Sequence, residues 1–398
     1  MWNKFARWEV IVVAVISVVI VMATVAPFVY GWLATSPGYH FTGRHLNDYE
    51  DQSTYVTWIE QARQGNWLLS QIYSSEDKNY NYFNPIFLVL GWLAKLTGLS
   101  SPLVFYLAKA ILSLFFLGYL YYLLSLVLTK RSVRLICFIL ISCGSGLGWF
   151  VPHNSIDLNS AESTVFFNMY ESILNIFGLL CMMVTLHLFA SLSKPYEWLK
   201  YLAMSLCCGL LILTHTYDIV QLYVVLLAVT VYFSIKQISK VHIQGLLYLS
   251  LGIMPFFVLI ALMLNNNLAL AVWAFQQTKW PAIYWAFYAS TFGLLGICAL
   301  VGYFFDEQLP LSFKTLLLSL VIVVFLCVMN PFSDRYQQKF LLGVFIPFGL
   351  LAGLGFNWLL DHVKTGIRLL YFPVLILGMV VFVNTNLTLL SKDMKYFY

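Results

Sequence analysis

Charge is scarce in this chain. Only 10% of its 398 residues are Asp, Glu, Lys or Arg, and the acids number 17. Soluble domains carry about a quarter of charged residues and are about half apolar. This chain is 61% hydrophobic and has a mean hydropathy of +0.82, so its composition excludes an ordinary soluble domain.

The sequence also lacks linkers, repeats and cysteine pairs. No segment is rich in Gly, Ser and Pro, and none has the composition of a soluble domain. The seven cysteines form no CxxC pair and lie inside apolar runs, which is typical of small core residues rather than disulfides or metal ligands. The whole chain, 1–398, is therefore predicted to be a single transmembrane domain.

What the sequence does contain is a series of long apolar runs, many of them near the roughly 20 residues that cross a bilayer as a helix. They predict an all-α, polytopic transmembrane bundle of about eleven spans, because a helix satisfies its own backbone inside lipid. The first run is too long for the core of a signal peptide and is predicted to be a retained span. The predicted spans are 10–32, 103–129, 135–152, 165–193, 200–214, 219–235, 244–264, 282–304, 315–330, 340–360 and 369–385.

The segment 84–99, "NPIFLVLGWLAKLTGL", decides the topology. It is short for a span and is interrupted by Lys95, so it is predicted to lie along the membrane surface. In that arrangement the basic clusters, including 130–134, share one side with Lys4 and Arg7, as the positive-inside rule requires. We therefore predict a cytoplasmic N-terminus in the plasma or inner membrane. Residues 33–101 then form one long extracytoplasmic loop that carries interfacial helices.

Three acids, Asp48, Glu50 and Asp51, fall within four residues of that loop. A helix is predicted from about Tyr49 to a stop at Gly65. The acids are open to two interpretations. They cap the helix and complement its dipole, or Asp48 and Asp51, which share a face, include a carboxylate that accepts or positions a hydroxyl proton.

Two further polar segments interrupt the apolar pattern. "LTHTYDIV" contains His215, Tyr217 and Asp218, and ionisable groups at membrane depth are costly unless they are paired or line a wet cavity. They are interpreted either as a His–Asp turn that joins two helices or as the wall of a substrate cavity. Asp157 and Glu162 lie in an outer loop, and they are expected either as solvated groups or as part of that cavity.

That outer loop follows Gly144, Gly146 and Gly148, which are spaced as GxGxG. No strand precedes them, so a nucleotide-binding loop is excluded, and close packing of the helix 135–152 is predicted instead.

The segment "NPFSDRYQQK" places Arg335, Tyr336 and Lys339 at a predicted outer hinge. Positive charge on the outer side runs against the positive-inside trend. One interpretation pairs Arg335 with Asp334 or with lipid headgroups. The other makes the segment a clamp for a lipid-linked phosphate, which Arg grips with two hydrogen bonds while Lys adds a point charge.

In order, these segments resemble the GT-C superfamily of integral-membrane glycosyltransferases. The resemblance is carried by the acidic first loop, the interfacial segment 84–99, the span that begins "SPLVFYLAKA" and the late basic motif "SDRYQQKFLLGVFIPFGLLAG". It implies transfer of a sugar from a polyprenyl-phosphate donor to a glycan, lipid or protein acceptor. The catalytic or acceptor-binding acid then maps to Asp48 or Asp51. The implied reaction involves no nucleic acid and leaves room for a divalent cation without requiring one.

The chain departs from the family in two ways, and two rival classes stay open. Many members carry a soluble domain after the last span, whereas this sequence ends at Tyr398, and some have an acidic pair where this loop has a cluster. A transporter or lipid flippase would also place polar groups in a membrane cavity, but the repeated halves typical of transporters are not evident. A non-catalytic subunit would use the acids only as a helix cap.

Overall fold

The structure, a computed structural model, describes residues 6–39, 41–43, 49–70, 82–152, 155–235, 239–265, 285–329, 337–366 and 370–396. The only β feature in these ranges is an antiparallel bridge between Leu69 and Tyr82, and the regular elements are helices. The all-α prediction is therefore confirmed. The helices are α1 (Arg7–Ala34), α2 (Tyr49–Arg63), α3 (Pro85–Thr97), α4 (Ser101–Val127), α5 (Arg131–Cys143), α6 (Val165–Glu171), α7 (Ile173–Ala190), α8 (Trp198–Thr214), α9 (Asp218–Ile235), α10 (Ser239–Asn265), α11 (Trp285–Phe305), α12 (Leu311–Val328), α13 (Phe345–Gly366) and α14 (Tyr371–Tyr396).

Seven of the described helices are long and apolar enough to cross a bilayer by length and composition, namely α1, α4, α7, α9, α10, α11 and α12. The chain is an integral membrane protein with a helical bundle. The count of eleven spans stays a prediction, because α8 is a shorter apolar helix and α5 has only 13 residues.

Three predicted spans differ from the observed helices. The run 135–152 is helical only as far as Cys143, since Gly144 caps α5 and the chain then leaves the helix. The run 165–193 is broken at Ser172, an extended residue whose Oγ accepts a hydrogen bond from the backbone N–H of Leu174 at the start of α7. The run 340–360 begins in a 3-10 turn, Gln337–Leu341, and becomes α13 only at Phe345. Hydropathy does not register these breaks, because the residues at them are mostly apolar or small.

The helix predicted from about Tyr49 is present as α2, and the chain turns at Gly65, whose φ of +104° favours glycine. The apolar face of α2 packs on α3, and Ile59 and Ala62 are fully buried there. The two helices approach so closely that a Cβ on Gly91 of α3 would lie 2.3 Å from the Cβ of Ala62. This contact fixes α2, and the acids in its first turn, against the bundle.

The segment 84–99 forms the 13-residue α3, whose ends are specified locally. The Asn84 side chain accepts hydrogen bonds from the backbone N–H groups of Ile86 and Phe87, and Gly98, with φ of +73°, ends the helix. One face of α3 is exposed and apolar, which is typical of a helix at a bilayer surface. That interfacial position stays a prediction. The exposed large apolar side chains are Val89, Trp92, Leu93 and Leu96, and Lys95 and Thr97 are exposed as well.

A buried ion pair joins the starts of α1 and α5. Glu9, which is fully buried, contacts Arg134 at 2.8 Å and Arg131 at 3.5 Å, and Tyr121 of α4 donates its hydroxyl to the same carboxylate. The basic residues at the start of α5 therefore lie at the same end of the bundle as Arg7. This end is called the Glu9 end, and the opposite one, where α2 and α3 lie, the α2–α3 end. The shared end agrees with the predicted topology, whereas the side of the membrane stays a prediction.

Candidate active site

An ion pair between Lys339 and Glu162 lies at the α2–α3 end. Lys339 lies in the turn Gln337–Leu341, and Glu162 lies in a second 3-10 turn, Ala161–Ser163. The other carboxylate oxygen of Glu162 accepts a hydrogen bond from Ser160 Oγ at 2.7 Å. Glu162 is only 3% exposed, so the expectation that it is a solvated loop residue was wrong. Its partner is remote in sequence, and local hydropathy could not show it.

The charges of the pair stabilise each other. Burial lowers the pKa of Lys339, but the carboxylate of Glu162, together with Tyr217 and Asp51, outweighs burial and holds that pKa well above its usual value. Burial raises the pKa of Glu162, and the ammonium group of Lys339 and the Ser160 hydroxyl reverse this to a net lowering. Both groups are therefore charged at neutral pH.

A cation–π contact and two hydrogen bonds connect Lys339 with the turn between α8 and α9. The Lys339 ammonium lies 5.8 Å from the centre of the Tyr217 ring. Tyr217 OH is 2.5 Å from His215 Nε2, and His215 Nδ1 is 2.6 Å from Asp218 Oδ2. Because a carboxylate only accepts, Nδ1 donates to Asp218, and in the neutral imidazole Nε2 accepts the Tyr217 hydroxyl. Burial raises the pKa of Tyr217 well above its usual value, so its hydroxyl keeps its proton.

The structure confirms the first interpretation of "LTHTYDIV", a paired His–Asp turn that joins two helices. His215 and Asp218 are 7% and 0% exposed and form the paired turn between two helices. Through Tyr217 the same turn borders Lys339. The predicted cavity residues His215, Tyr217, Asp218 and Glu162 therefore belong to one connected cluster. Their role as the wall of a substrate cavity stays a prediction.

Asp51 is an acid of the first loop that lies at the α2–α3 end. It lies in the first turn of α2 and is partly exposed. Its charge acts on the pKa values of Lys339, Tyr217 and Glu171, so Asp51 lies within electrostatic range of all three groups. The interpretation of Asp51 and Lys339 as parts of one site stays a prediction. Asp48, Arg335 and Tyr336 lie outside the described residues, and their roles stay predictions.

Asp157 lies outside the cluster around Lys339 and contacts the loop after α5 and the helix α11. Its carboxylate accepts hydrogen bonds from the backbone N–H of Gly146 at 2.7 Å and from Thr291 Oγ1 at 3.0 Å. It is 1% exposed, so the solvated interpretation was wrong for this residue too. Burial raises the pKa of Asp157, opposed by these hydrogen bonds. Asp157 holds the loop after α5 against α11, and its role as a cavity residue stays a prediction.

The glycines of the GxGxG pattern lie in this same loop and not in the middle of a membrane span. A Cβ on Gly146 would lie 2.3 Å from Thr291 Cα, and one on Gly148 would lie 2.4 Å from Asp157 Oδ1. Close packing was predicted correctly, but it occurs in an irregular segment after Cys143 because the glycine backbone lies directly on α11 and on Asp157.

Sequence reasoning missed a polar group beside the site. Glu171 ends α6, and Lys109 of α4, which is fully buried, donates a hydrogen bond to the carbonyl oxygen of the preceding Tyr170. The Tyr170 hydroxyl in turn donates to Asp393 of α14. The available signal was an acid inside the apolar run 165–193, which is expensive in a membrane unless it has a function or a partner. Among the described residues, no cluster of three or more His, Cys, Asp or Glu could hold a metal ion.

Comparison with known proteins identifies the fold. No protein-family model and no curated protein matches the chain. ArnT from Cupriavidus metallidurans, solved bound to undecaprenyl phosphate, has a TM-score of 0.56 and 14% identity, covering 94% of this chain and 77% of ArnT. The archaeal oligosaccharyltransferase AglB from Archaeoglobus fulgidus, in complex with an inhibitory peptide and a dolichol-phosphate, has a TM-score of 0.50 and 12% identity. That match covers 99% of this chain, which spans 56% of AglB. The likeness confirms the fold expected from the sequence resemblance.

Proposed function

We propose that this chain, which has the fold of the GT-C superfamily of membrane glycosyltransferases, transfers a sugar from a polyprenyl-phosphate donor to an acceptor hydroxyl at the extracytoplasmic face. The observation that carries the proposal is that Lys339, paired with Glu162 at this end of the bundle, lies within electrostatic range of Asp51. An acid and a cation at a membrane boundary match the two ends of the transfer, where an acceptor loses a proton and a phosphate leaves as an anion.

In the proposed reaction the acceptor oxygen attacks the anomeric carbon of the sugar. The bond between that carbon and the phosphate oxygen breaks, and its electron pair leaves with the polyprenyl phosphate. The acceptor proton passes to a carboxylate of the first loop, Asp51 or Asp48. Lys339, with Arg335 and Tyr336 as predicted partners, offsets the negative charge that grows on the phosphate. The chemistry needs no nucleotide, because the lipid phosphate is already a stable leaving group.

The Lys339–Glu162 pair supports a phosphate site at this position. A buried ammonium needs a counter-ion, and Glu162 supplies one in the structure. A donor phosphate offers the same negative charge with more acceptor oxygens. In the proposed complex the donor phosphate joins Glu162 at the charged ammonium group of Lys339.

An open apolar groove supports a lipid-linked substrate. The groove has a volume of about 290 Å³ and lies between α11, α12 and α13. Its lining consists of apolar side chains and glycines, which suits hydrocarbon and not a polar solute. The helix α13 follows directly after the turn that carries Lys339, so its first turns connect the cation to this wall. The lining residues are Gly293, Gly296, Ile297, Ala299, Leu300, Leu318, Val321, Phe348 and Leu351.

A transfer assay tests the proposal. The purified chain in lipid nanodiscs is mixed with a panel of polyprenyl-phosphate sugars labelled in the sugar and with candidate acceptors. We expect labelled product and an equal amount of free polyprenyl phosphate from the wild type, and neither from Asp51→Asn. Glu307→Gln, an exposed acid at the Glu9 end, is the matched control and should behave as the wild type. Movement of the intact donor across the bilayer with no cleavage would favour the flippase class instead.

A further inference from the structure

Glu171 is a partly buried acid that the proposed reaction does not use. It is the last residue of the short α6, which is tied to α7 by Ser172, the capping residue of both helices. Its Oε2 atom has no access to solvent and no hydrogen-bond partner. Buried polar atoms in native structures are nearly always paired, so an orphaned carboxyl oxygen needs an explanation.

Charged groups reach Glu171 from four elements. Glu162 approaches from the turn next to α6, Lys339 from the turn before α13, Asp51 from α2, and Lys109 from α4. Asp393 of α14 faces the same region and accepts the hydroxyl of the neighbouring Tyr170. In the structure Lys339 forms its ion pair with Glu162 rather than with Glu171.

The protonation of Glu171 follows from this surrounding. Burial, which penalises the charged form, and the negative charge of Glu162 raise the pKa of Glu171 to about 8, with Lys339 opposing them. Below that pH the carboxyl is neutral and offers one O–H donor. A neutral carboxylic acid does not repel a phosphate, whereas a third carboxylate beside Glu162 and Asp51 would.

We propose that Glu171 binds the donor phosphate as a neutral carboxylic acid, donating a hydrogen bond to a phosphate oxygen that Lys339 also holds. The inference rests on the proposed function and assigns a second contact to the same phosphate site. Hydrogen bonds from O–H to an anionic oxygen are short and strong. The orphaned Oε2 thereby gains a partner that the protein alone does not supply. Glu171 and Lys339 recognise the phosphate group, and the lipid chain contributes to the affinity.

The decisive variant is Glu171→Gln, because glutamine keeps the shape and a donor but cannot ionise. Binding of undecaprenyl phosphate to the full chain in nanodiscs is measured from about pH 7 to about pH 9, a range in which a group with a pKa of about 8 goes from mostly neutral to mostly charged. We expect the wild-type affinity to fall about tenfold over this range and the affinity of Glu171→Gln to change less than about twofold. Glu307→Gln is the control and should keep the wild-type fall.

Stability gives a second readout that needs no lipid. The folded chain holds a proton on Glu171 that the unfolded chain releases above its ordinary pKa, so folded-state stability falls as the pH rises from about 4.5 to about 8. The thermal midpoint of Glu171→Gln should therefore rise relative to the wild type over the same range, and level off above it. A difference between the two midpoints that stays constant with pH shows that the pKa of Glu171 is the same in the folded and unfolded chain, and it overturns the inference.

The remaining outcomes of the binding experiment each support or overturn the role of Glu171. Loss of binding in Glu171→Gln at about pH 7, or an identical pH dependence in the two proteins, overturns the role of Glu171 and leaves the proposed function intact. A divalent-cation requirement that disappears in Glu171→Gln makes the carboxylate a metal ligand and overturns it as well. Inorganic phosphate and phosphatidic acid are run in parallel. Equal pH-dependent binding of all three assigns Glu171 to the phosphate alone, whereas a wild type that binds none of them at any pH overturns both proposals.

Discussion

Lys339 and Glu162 lie 177 residues apart in the sequence and form an ion pair at the α2–α3 end of the bundle. Lys339 balances a buried carboxylate and also offers the cation that the proposed donor phosphate needs. A single mutation of Lys339 would therefore change both the stability of the fold and the binding of the donor. The first prediction separates the two.

Lys339→Ala should destabilise the fold by about 3 kcal/mol, because it leaves Glu162 charged and buried without its cation. The double variant Lys339→Met with Glu162→Gln removes both charges and should recover most of that loss. Donor binding should stay lost in the double variant. Thermal unfolding and undecaprenyl phosphate binding measured on the same samples check this. A double variant that regains stability and also binds the lipid would remove Lys339 from the donor site.

Asp51→Asn should abolish transfer and leave the protein folded and membrane-inserted, because the amide cannot accept the acceptor proton. Glu50→Gln, on another face of α2, is the matched control and should have a mild effect. Asp48→Asn, tested in parallel, decides which of the two acids is required. The measurement is turnover of labelled donor at equal amounts of folded protein. If both Asp variants keep full activity and instead lose about 0.5–2 kcal/mol of stability, the acids are a helix cap.

The turn of His215, Tyr217 and Asp218 gives a graded series. Asp218→Asn should cost about 1.5–3 kcal/mol, since it removes the charged acceptor of the 2.6 Å bond from His215. Tyr217→Phe loses only the hydroxyl bond and should cost about 1 kcal/mol while its ring stays over Lys339. Tyr217→Leu removes the ring as well and should weaken donor binding. Equal donor affinities for the Phe and Leu variants would show that the ring does not shape the phosphate site.

Arg335 is predicted to grip the donor phosphate with two hydrogen bonds, which Lys cannot reproduce. Arg335→Lys should weaken donor use, and Arg335→Ala should weaken it more, while acceptor affinity changes little. Donor-concentration curves for matched amounts of folded protein measure this. An Arg335→Ala protein that expresses poorly and yet gives the wild-type donor curve would instead pair Arg335 with Asp334 or with lipid headgroups.

Topology is tested by labelling. Ser132, which is exposed at the start of α5, is changed to Cys in a background without the seven native cysteines. Because the Glu9–Arg134 pair places this turn at the same end as Arg7, Ser132→Cys should react only after the membrane is permeabilised. Asn66→Cys, exposed in the turn after α2, is the control and should react in intact cells. Labelling of Ser132→Cys from outside would invert the orientation.

The sequence by itself determined the membrane class, the all-α fold and the helices of the first loop. These are local properties: hydropathy over a window predicts a span, and Asn84 and Gly98 specify the two ends of α3 through their own backbone and side-chain geometry. The start of α2 near Tyr49 and its stop at Gly65 follow from the same kind of signal.

Only the tertiary structure decided which polar groups meet. The partner of Glu162, the end of α5 at Cys143 and the burial of the Oε2 atom of Glu171 depend on contacts between segments that are remote in the chain. A hydropathy profile averages the apolar character of residues that are neighbours in sequence, so it contains no information about such contacts. The energy of a charge in a membrane protein is set by its neighbours in space, which helix packing alone brings together.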